Sequence, residues 1–269
     1  MSDKLKFTTN YVRQSWLDIF QQKGYYLLEP SSLIPQSDPS LLWINSGVAT
    51  LKKYFNNPSL APARNLVNCQ RVIRTDDLAN INARSYHQTL FEMLGDFSIG
   101  SNFKEEVIPI IWQWFTSLEW LGLDPQKLFV TVWENDQVSY EVWKKQGVSN
   151  NHILFGTKKT NFWDMGDGPC GPNTEIYYDF QTDEKLPKNI EELDNKRFIE
   201  ICNIVFPEFY HKDDDYLPLA EKCVDTGAGL ERIVMVLQGK KNTFEIDLWE
   251  PVINLMEAFY KENLLLGKK

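Results

Sequence analysis

The chain has 269 residues, of which 43% are hydrophobic and 13% aromatic, with nine tryptophans. This composition is typical of a packed globular protein and excludes a disordered one, and we predict a single domain over residues 1–269. The formal net charge of −9 argues against general nucleic-acid affinity, which needs clustered Lys and Arg.

The N-terminal residues include Asp3, Lys4 and Lys6 and lack the apolar core of a secretory signal. No apolar run in the sequence approaches the length needed to cross a membrane. These features predict a cytoplasmic protein with no membrane partner. The four cysteines are scattered without a Cys-x-x-Cys pair, and the chain has three histidines, so no metal ligand and no disulfide is named from the sequence.

Apolar residues at helical spacing predict four helices. In the first, Val12, Trp16 and Phe20 share one face, and Gly24 is a natural stop. Pro109 falls within the second predicted helix, where it is tolerated only near the first turn. The predicted helices span residues 9–23, 104–121, 137–145 and 248–260.

β-prone runs predict strands over residues 25–28, 65–74, 86–94, 129–133, 174–179 and 200–206, and a strand, turn and helix over residues 224–237. Residues 161–172 are predicted as a Gly/Pro-rich turn region and residues 181–197 as a charged surface excursion. Residues 65–74 and 86–94 flank a polar connection that includes Asn82 and Arg84, so we expect an antiparallel pair with a long functional loop. Paired strands without a βαβ rhythm predict an α+β fold with an antiparallel sheet. A Rossmann or P-loop fold is disfavoured because neither fingerprint is present.

The segment Val224–Leu237 carries the strongest chemical signal. Gly227 and Gly229 allow the backbone to approach a bulky neighbour, and Arg232 places a charged fork at the start of the predicted helix. That combination suits a triphosphate. Gly-x-Gly before an apolar helix is also typical of a tight structural turn, so both interpretations stay open for this segment alone.

Other motifs accompany this segment in a fixed order. They are Pro30–Pro35, Asp38–Leu42, Arg71–Asp77, His87–Gly100, Asn161–Pro172 and Glu200–Phe206. The set runs from about Phe7 to about Met256 and resembles the catalytic domain of alanyl-tRNA synthetases (alanine–tRNA ligases), which are class II aminoacyl-tRNA synthetases. The resemblance implies a mostly antiparallel sheet flanked by helices and an ATP-dependent ligase that forms alanyl-adenylate. Positioning and charge neutralisation drive that reaction, so no protein nucleophile is needed.

The resemblance implies that Arg74 holds the α-phosphate of ATP and that Arg232 holds the γ-phosphate and one face of adenine. These two arginines are the predicted catalytic residues. Phe91 would stack on the other face of the base, and Mg²⁺ is expected to bridge phosphate oxygens. From the residue types alone, Arg74 also fits a surface arginine and Phe91 a core residue. The predicted ATP-binding residues are Arg74, Phe91, Glu92, Met93, Gly229 and Arg232.

For the amino acid, the resemblance implies that Asp225 pairs with the α-ammonium group and that Asn203 orients the substrate. Trp163 and Val205 would line a small pocket that accepts a methyl group. Such a pocket excludes large side chains but rejects glycine and serine poorly. The alternatives are that Asp225 caps a helix and that Trp163 is a core residue.

The chain departs from the family pattern at Asp76, at Tyr86–Gln88 and at Ala228. It ends soon after Arg232, so we expect the tRNA-recognition, editing and C-terminal domains to be absent. The implied partners are alanine, ATP and tRNA(Ala). Assembly into a homodimer also stays open, because the opening helix and strand correspond to the family's potential dimer surface. Two alternative functions stay open: a free-standing relative that passes activated alanine to another acceptor, and a regulatory module that binds ATP or alanine without turnover.

Overall fold

The computed structural model describes residues 6–36, 41–81, 85–181, 185–193, 197–213 and 215–266. Part of the predicted motif Asp38–Leu42, and Asn82 and Arg84 of the predicted loop, lie outside the described residues. The prediction of one domain remains a prediction.

The helices follow the apolar spacing of the sequence. Thr8 caps α1, since its hydroxyl oxygen accepts a hydrogen bond from the Tyr11 backbone N–H at 3.2 Å. Val12 and Trp16 are buried on the inner face of α1, and Gly24 takes a positive φ of 85° after its end. The helices are α1 (Thr9–Gln22), α2 (Lys52–Asn56), α3 (Lys104–Thr116), α4 (Gln137–Lys145), α5 (Leu230–Leu237) and α6 (Glu250–Leu266).

The sheet confirms the predicted α+β class. Its main path runs β1-β2-β3-β11-β8-β7-β4-β5, and β6, β9 and β10 are attached at its side. Neighbours on the main path are antiparallel except for the parallel pairs β1–β2 and β4–β5. The strands are β1 (Tyr26–Leu27), β2 (Asn65–Ile73), β3 (Leu90–Ile99), β4 (Leu128–Trp133), β5 (Ile153–Gly156), β6 (Phe162–Trp163), β7 (Gly168–Asp179), β8 (Phe198–Val205), β9 (Phe209–Lys212), β10 (Asp215–Pro218) and β11 (Cys223–Gly229).

The two faces of the sheet have different roles because side chains alternate along a strand. On one face, Leu94, Ile204 and Val224 are fully buried and belong to the main hydrophobic core with residues from α1, α3 and α5. Met93 and Asp225, each next to one of these core residues in sequence, lie on the opposite face and stay partly exposed. That opposite face holds the candidate site.

Two local predictions were wrong. The second predicted helix ends at Thr116, and Pro109 lies inside it as its sixth residue. The flanking Ile108 and Ile111 are fully buried, and their packing offsets the lost backbone hydrogen bond. The predicted turn region over residues 161–172 is largely strand, because β7 already begins at Gly168 and pairs with β6 and β9.

No helix in the described part of the chain is long and apolar enough to cross a membrane. The predicted cytoplasmic location remains a prediction.

Candidate active site

Strand register brings distant parts of the sequence together on the open face. Asp225 of β11 lies opposite Val205 of β8, and Gly227 lies opposite Asn203. On its other side, β11 pairs Gly229 with Met93 of β3. Directly opposite residues of an antiparallel pair share a face, so five of the predicted site residues form one surface patch with Gly227.

Glycine at position 227 allows a close approach of the Met93 side chain. A Cβ atom there would lie 3.1 Å from the sulfur of Met93, which crosses the strand at this point. Gly229 is the last residue of β11 with φ −77° and ψ 106°, and α5 begins at Leu230 without an intervening turn. The interpretation of this segment as a tight structural turn is therefore wrong.

Arg74 follows β2 and lies above Phe91. Its guanidinium carbon is 5.4 Å from the centroid of the Phe91 ring, and its Nε donates a hydrogen bond to the Asn45 carbonyl at 2.9 Å. Loss of hydration lowers the pKa of Arg74, and the positive charge of Arg232 contributes to this, whereas the charges of Asp77, Glu200 and, to a smaller extent, Asp225 oppose the shift. The two arginines and the aspartate are thus close enough to interact electrostatically.

Arg232 lies in the first turn of α5 and points toward β8. Its Nη1 donates to the Glu200 carbonyl at 2.9 Å and lies 3.4 Å from a Glu200 carboxylate oxygen. The guanidinium carbon is 5.1 Å from the centroid of the Tyr86 ring. Arg232 also borders a cavity of about 430 Å³ whose walls include Glu175, Tyr177 and Glu200. This cavity has the size of a small-ligand site.

Asp225 belongs to this patch, and the pKa of its carboxyl group differs from that of a free aspartate. Burial raises the pKa of Asp225 to about 7, and the charge of Arg74 partly opposes the shift. A carboxylate that is costly to ionise gains most from a cationic ligand. The alternative that Asp225 caps a helix is wrong, since Gly229 occupies the position before α5.

The side chain of Asn203 is held by a polar network that the sequence reasoning missed. Asn173 donates to the Asn203 amide oxygen at 3.0 Å and to a Glu175 oxygen at 3.3 Å. Tyr177 donates to the other Glu175 oxygen at 3.0 Å. Burial, followed by the charge of Glu200, raises the pKa of Glu175 to about 8. The sequence does offer one signal for this network: Glu175 is a glutamate within a strand whose alternate residues are buried.

Trp163 lies on β6 opposite Gly171 of β7. A Cβ atom at Gly171 would lie 2.0 Å from the carbonyl oxygen of Phe206, the residue after Val205, so only glycine fits between the two strand ends. Trp163 is 38% exposed, which excludes the core alternative, whereas Val205 is buried. Trp163 therefore lies near the C-terminal end of β8, where Val205 is the last residue of the strand.

The side chain of Glu92 does not join the patch, which corrects its predicted contact with adenine. Its carboxylate lies on the helix face and forms a bidentate ion pair with Arg13 of α1 at 2.6 and 2.7 Å. Its backbone N–H donates to the carboxylate of Glu231 at 3.0 Å. The cause is strand alternation, since Phe91 and Met93 face the site and the residue between them must face away.

A profile of the family "tRNA synthetases class II (A)" matches residues 11–266. Alanine–tRNA ligase of Mesomycoplasma hyopneumoniae (strain 232) is 48% identical over an alignment of 274 residues that covers 98% of this chain and 31% of that protein. The enzyme of the same name from Mesoplasma florum is 48% identical over 267 residues, covering 96% and 30% of the two chains.

The fold also matches a solved structure. The crystal structure of apo S. aureus histidyl-tRNA synthetase aligns with a TM-score of 0.54 at 13% identity, over 88% of this chain and 68% of that chain. At this identity the match concerns the fold alone. It agrees with the mixed, mostly antiparallel sheet flanked by helices.

Proposed function

Because this chain belongs to the class II (A) tRNA synthetase family, we propose that it activates alanine with ATP to form alanyl-adenylate, as the catalytic part of an alanine–tRNA ligase. The observation that carries the proposal is geometric: Arg74 lies over Phe91, Arg232 borders the cavity beside Glu200, and Asp225 lies opposite Val205 on the open face of the sheet. Two guanidinium groups suit a triphosphate, and a partly buried carboxylate suits an ammonium group.

In the proposed reaction, a carboxylate oxygen of alanine forms a bond to the α-phosphorus of ATP. The bond between that phosphorus and the bridging oxygen breaks, and pyrophosphate leaves with the electron pair. Arg74 neutralises charge that develops on the α-phosphate oxygens, and Arg232 holds the γ-phosphate and one face of the base. Phe91 supports the other face of the base, with Met93 and Gly229 along its edge.

The alanine end of the site is built on β8 and β11. Asp225 receives the α-ammonium group, and Asn203, fixed by Asn173, orients the substrate. Val205 and Trp163 limit the space for the side chain. A methyl group contributes only about 1 kcal/mol of contact, so discrimination against glycine is modest.

Magnesium fits the charges of the cavity. Glu175 and Glu200 lie on the same side as Arg232, and their mutual repulsion contributes to the raised pKa of Glu175. A divalent cation relieves such repulsion and commonly uses one or two carboxylates together with phosphate oxygens. Glu200 is the better ligand because Tyr177 and Asn173 donate hydrogen bonds to Glu175 at 3.0 and 3.3 Å, whereas the contact of the Glu200 carboxylate with Arg232 is longer, at 3.4 Å. When bound, the ion would neutralise phosphate charge.

The chain spans 31% and 30% of the length of the two curated relatives described above. Charging of tRNA(Ala), assembly into a homodimer and a cytoplasmic location are therefore part of the proposal.

The proposal is tested by alanine-dependent exchange of labelled pyrophosphate into ATP. We expect exchange with alanine, weaker exchange with glycine and serine, and loss of exchange in Arg74→Ala with an unchanged melting temperature. Equal activity with the three amino acids would refute the alanine assignment. Binding of ATP and alanine without exchange would favour a regulatory module, and transfer of alanine to a carrier protein but not to tRNA would favour the free-standing relative.

A further inference from the structure

Trp163, which limits the space for the alanine side chain in the proposed site, lies on a very short strand. β6 has two residues and pairs with β7 through Phe162 and Trp163. Residues 165–167, which connect β6 to β7, are exposed. Because a strand of two residues forms few backbone hydrogen bonds, the orientation of Trp163 depends on side-chain contacts close to it.

A polar cluster next to Trp163 supplies such contacts. Tyr216 of β10 donates a hydrogen bond to one carboxylate oxygen of Asp164 at 2.5 Å, and Nδ1 of His211 on β9 lies 2.9 Å from the other oxygen. The backbone N–H of Gly166 also donates to Asp164, at 3.0 Å. The three side chains of Asp164, His211 and Tyr216 form the Asp164 cluster. This cluster ties the end of β6 to the hairpin of β9 and β10.

The Asp164 cluster is charged and closely packed. Burial alone would raise the pKa of Asp164, but hydrogen bonds with Tyr216 and His211 lower it overall, so the carboxylate is ionised at neutral pH. The rings of His211 and Tyr216 are stacked with 4.6 Å between their centroids, and Lys158 Nζ lies 3.5 Å from the centroid of the Tyr216 ring. A hydroxyl that donates to an ionised carboxylate forms one of the stronger hydrogen bonds in proteins.

Strand register places the Asp164 cluster behind Trp163. His211 lies opposite Gly168 of β7, whereas Trp163 lies opposite Gly171, three positions further along the strand. Because opposite residues share a face and successive residues alternate, His211 and Trp163 belong to opposite faces of β7. Asn173, two positions after Gly171, shares the face of Trp163 and belongs to the network of the proposed alanine site. The Asp164 cluster therefore supports β6 from the side that faces away from the pocket.

We propose that the Asp164 cluster positions Trp163 and thereby sets the size of the side chain that the alanine pocket accepts. The inference rests on the proposed function, because it concerns the same pocket. A wall that is held firmly against a methyl group excludes an ethyl group by overlap, whereas a wall that can move back accepts it. Asp164, His211 and Tyr216 act through the tryptophan and are positioning residues.

The test compares alanine with 2-aminobutyrate, which carries one more methylene group, in pyrophosphate exchange at saturating ATP. The test variant is Tyr216→Phe, which removes only the hydroxyl that donates to Asp164. The matched control is Tyr210→Phe, which removes the hydroxyl of an exposed tyrosine on the same hairpin. A second variant, Asp164→Asn, keeps the shape of the side chain and removes its charge.

We expect Tyr216→Phe to lower the preference for alanine over 2-aminobutyrate, measured as the ratio of kcat/KM values, about fivefold. The KM for alanine should rise, whereas the KM for ATP should stay within about twofold of the wild-type value, because the proposed ATP residues lie on other elements. Asp164→Asn should change the ratio in the same direction, and Tyr210→Phe should behave as the wild type.

A double variant shows whether the effect passes through Trp163. Trp163→Phe has a smaller ring and leaves space in the pocket however the ring is held. In this background Tyr216→Phe should change the ratio by less than about twofold, because the two substitutions remove the same constraint. A fivefold effect that persists in this background would overturn the inference.

An unchanged ratio in both Tyr216→Phe and Asp164→Asn would also overturn it. Equal losses with the two amino acids, together with a lower melting temperature, would do the same, since they indicate a contact that only stabilises the hairpin. The wild type tests the proposed function separately. If the wild type shows alanine-dependent exchange and the variants keep its ratio, only the inference fails. If the wild type shows no such exchange, the proposed function fails and the inference fails with it.

Discussion

Replacing Asp225 by asparagine keeps the shape of the side chain and removes its charge. The structure places Asp225 on the open face opposite Val205, where burial raises its pKa to about 7. If this carboxylate binds the α-ammonium group of alanine, it must be ionised to do so. The variant therefore separates the electrostatic contribution of Asp225 from its packing.

The expected loss can be worked from the charges. Two unit charges about 3 Å apart attract by about 5 kcal/mol at an effective dielectric constant of about 20. The amide oxygen of asparagine retains a neutral hydrogen bond worth about 1 kcal/mol. The remaining difference, about 3–4 kcal/mol after screening, corresponds to a fall in kcat/KM for alanine of about 10² to 10³.

The pH dependence follows from the same group. With a pKa of about 7, the ionised fraction of Asp225 falls about tenfold between pH 8 and pH 6. Pyrophosphate exchange measured across this range at saturating ATP should show kcat/KM for alanine falling by that factor in the wild type. Asp225→Asn should lack this step. A wild-type profile that is flat, or a variant with full activity, would refute the role of Asp225.

The stability of the same variant provides an independent check. The folded pKa of Asp225 lies above the unfolded value of 3.8, so folding retains a proton that the unfolded chain loses. This contribution to stability is complete below about pH 4 and is lost as the pH rises through 7. Asp225→Asn should therefore be more stable than the wild type at pH 8, by up to about 4 kcal/mol, with a smaller difference at pH 5. Urea unfolding at the two pH values measures this, and equal differences would contradict the raised pKa of Asp225.

Three further outcomes are expected. Arg232→Ala should raise the KM for ATP and lower the exchange rate at least about 100-fold, because a charge-assisted phosphate contact is lost; an unchanged KM would remove Arg232 from the nucleotide site. Gly171→Ala should lower the free energy of unfolding by about 2–4 kcal/mol in urea titrations, since its Cβ would meet the carbonyl oxygen of Phe206 at 2.0 Å; normal stability would show that the strands can separate there. Asp96→Asn should stabilise the protein more at pH 8 than at pH 5, because burial raises the pKa of this fully buried carboxyl to about 7, and thermal unfolding at both values provides the check.

The major elements could be predicted because their residues carry local signals. Helix α1 has an apolar stripe, a threonine cap and a glycine stop, and the observed bounds Thr9–Gln22 differ from the prediction by one residue. The pairing of β2 with β3 was likewise predicted from two β-prone runs flanking a polar connection. In both cases the local conformational preference of the residues and the burial of their apolar side chains favour the same secondary structure.

Other elements depended on contacts that local sequence does not encode. β7 continues through Gly168–Pro172 because this segment pairs with β6 and β9, although glycine and proline usually interrupt a strand. The hairpin of β9 and β10 was also missed, since each of its strands has only four residues. Tertiary pairing, which sequence spacing cannot reveal, decides these regions.

The candidate site shows why a contiguous motif cannot be read as a contiguous binding surface. Within Phe91–Met93 only the outer residues face the proposed nucleotide, whereas Glu92 binds Arg13 on the helix face. Glu231, the neighbour of Arg232, accepts the backbone N–H of Glu92 and so fixes α5 to β3. Each motif therefore combines residues that face the site with residues that hold the strands and helices in register. Strand periodicity distinguishes the two groups in advance, but the partner Arg13 becomes visible only when the fold brings α1 against β3.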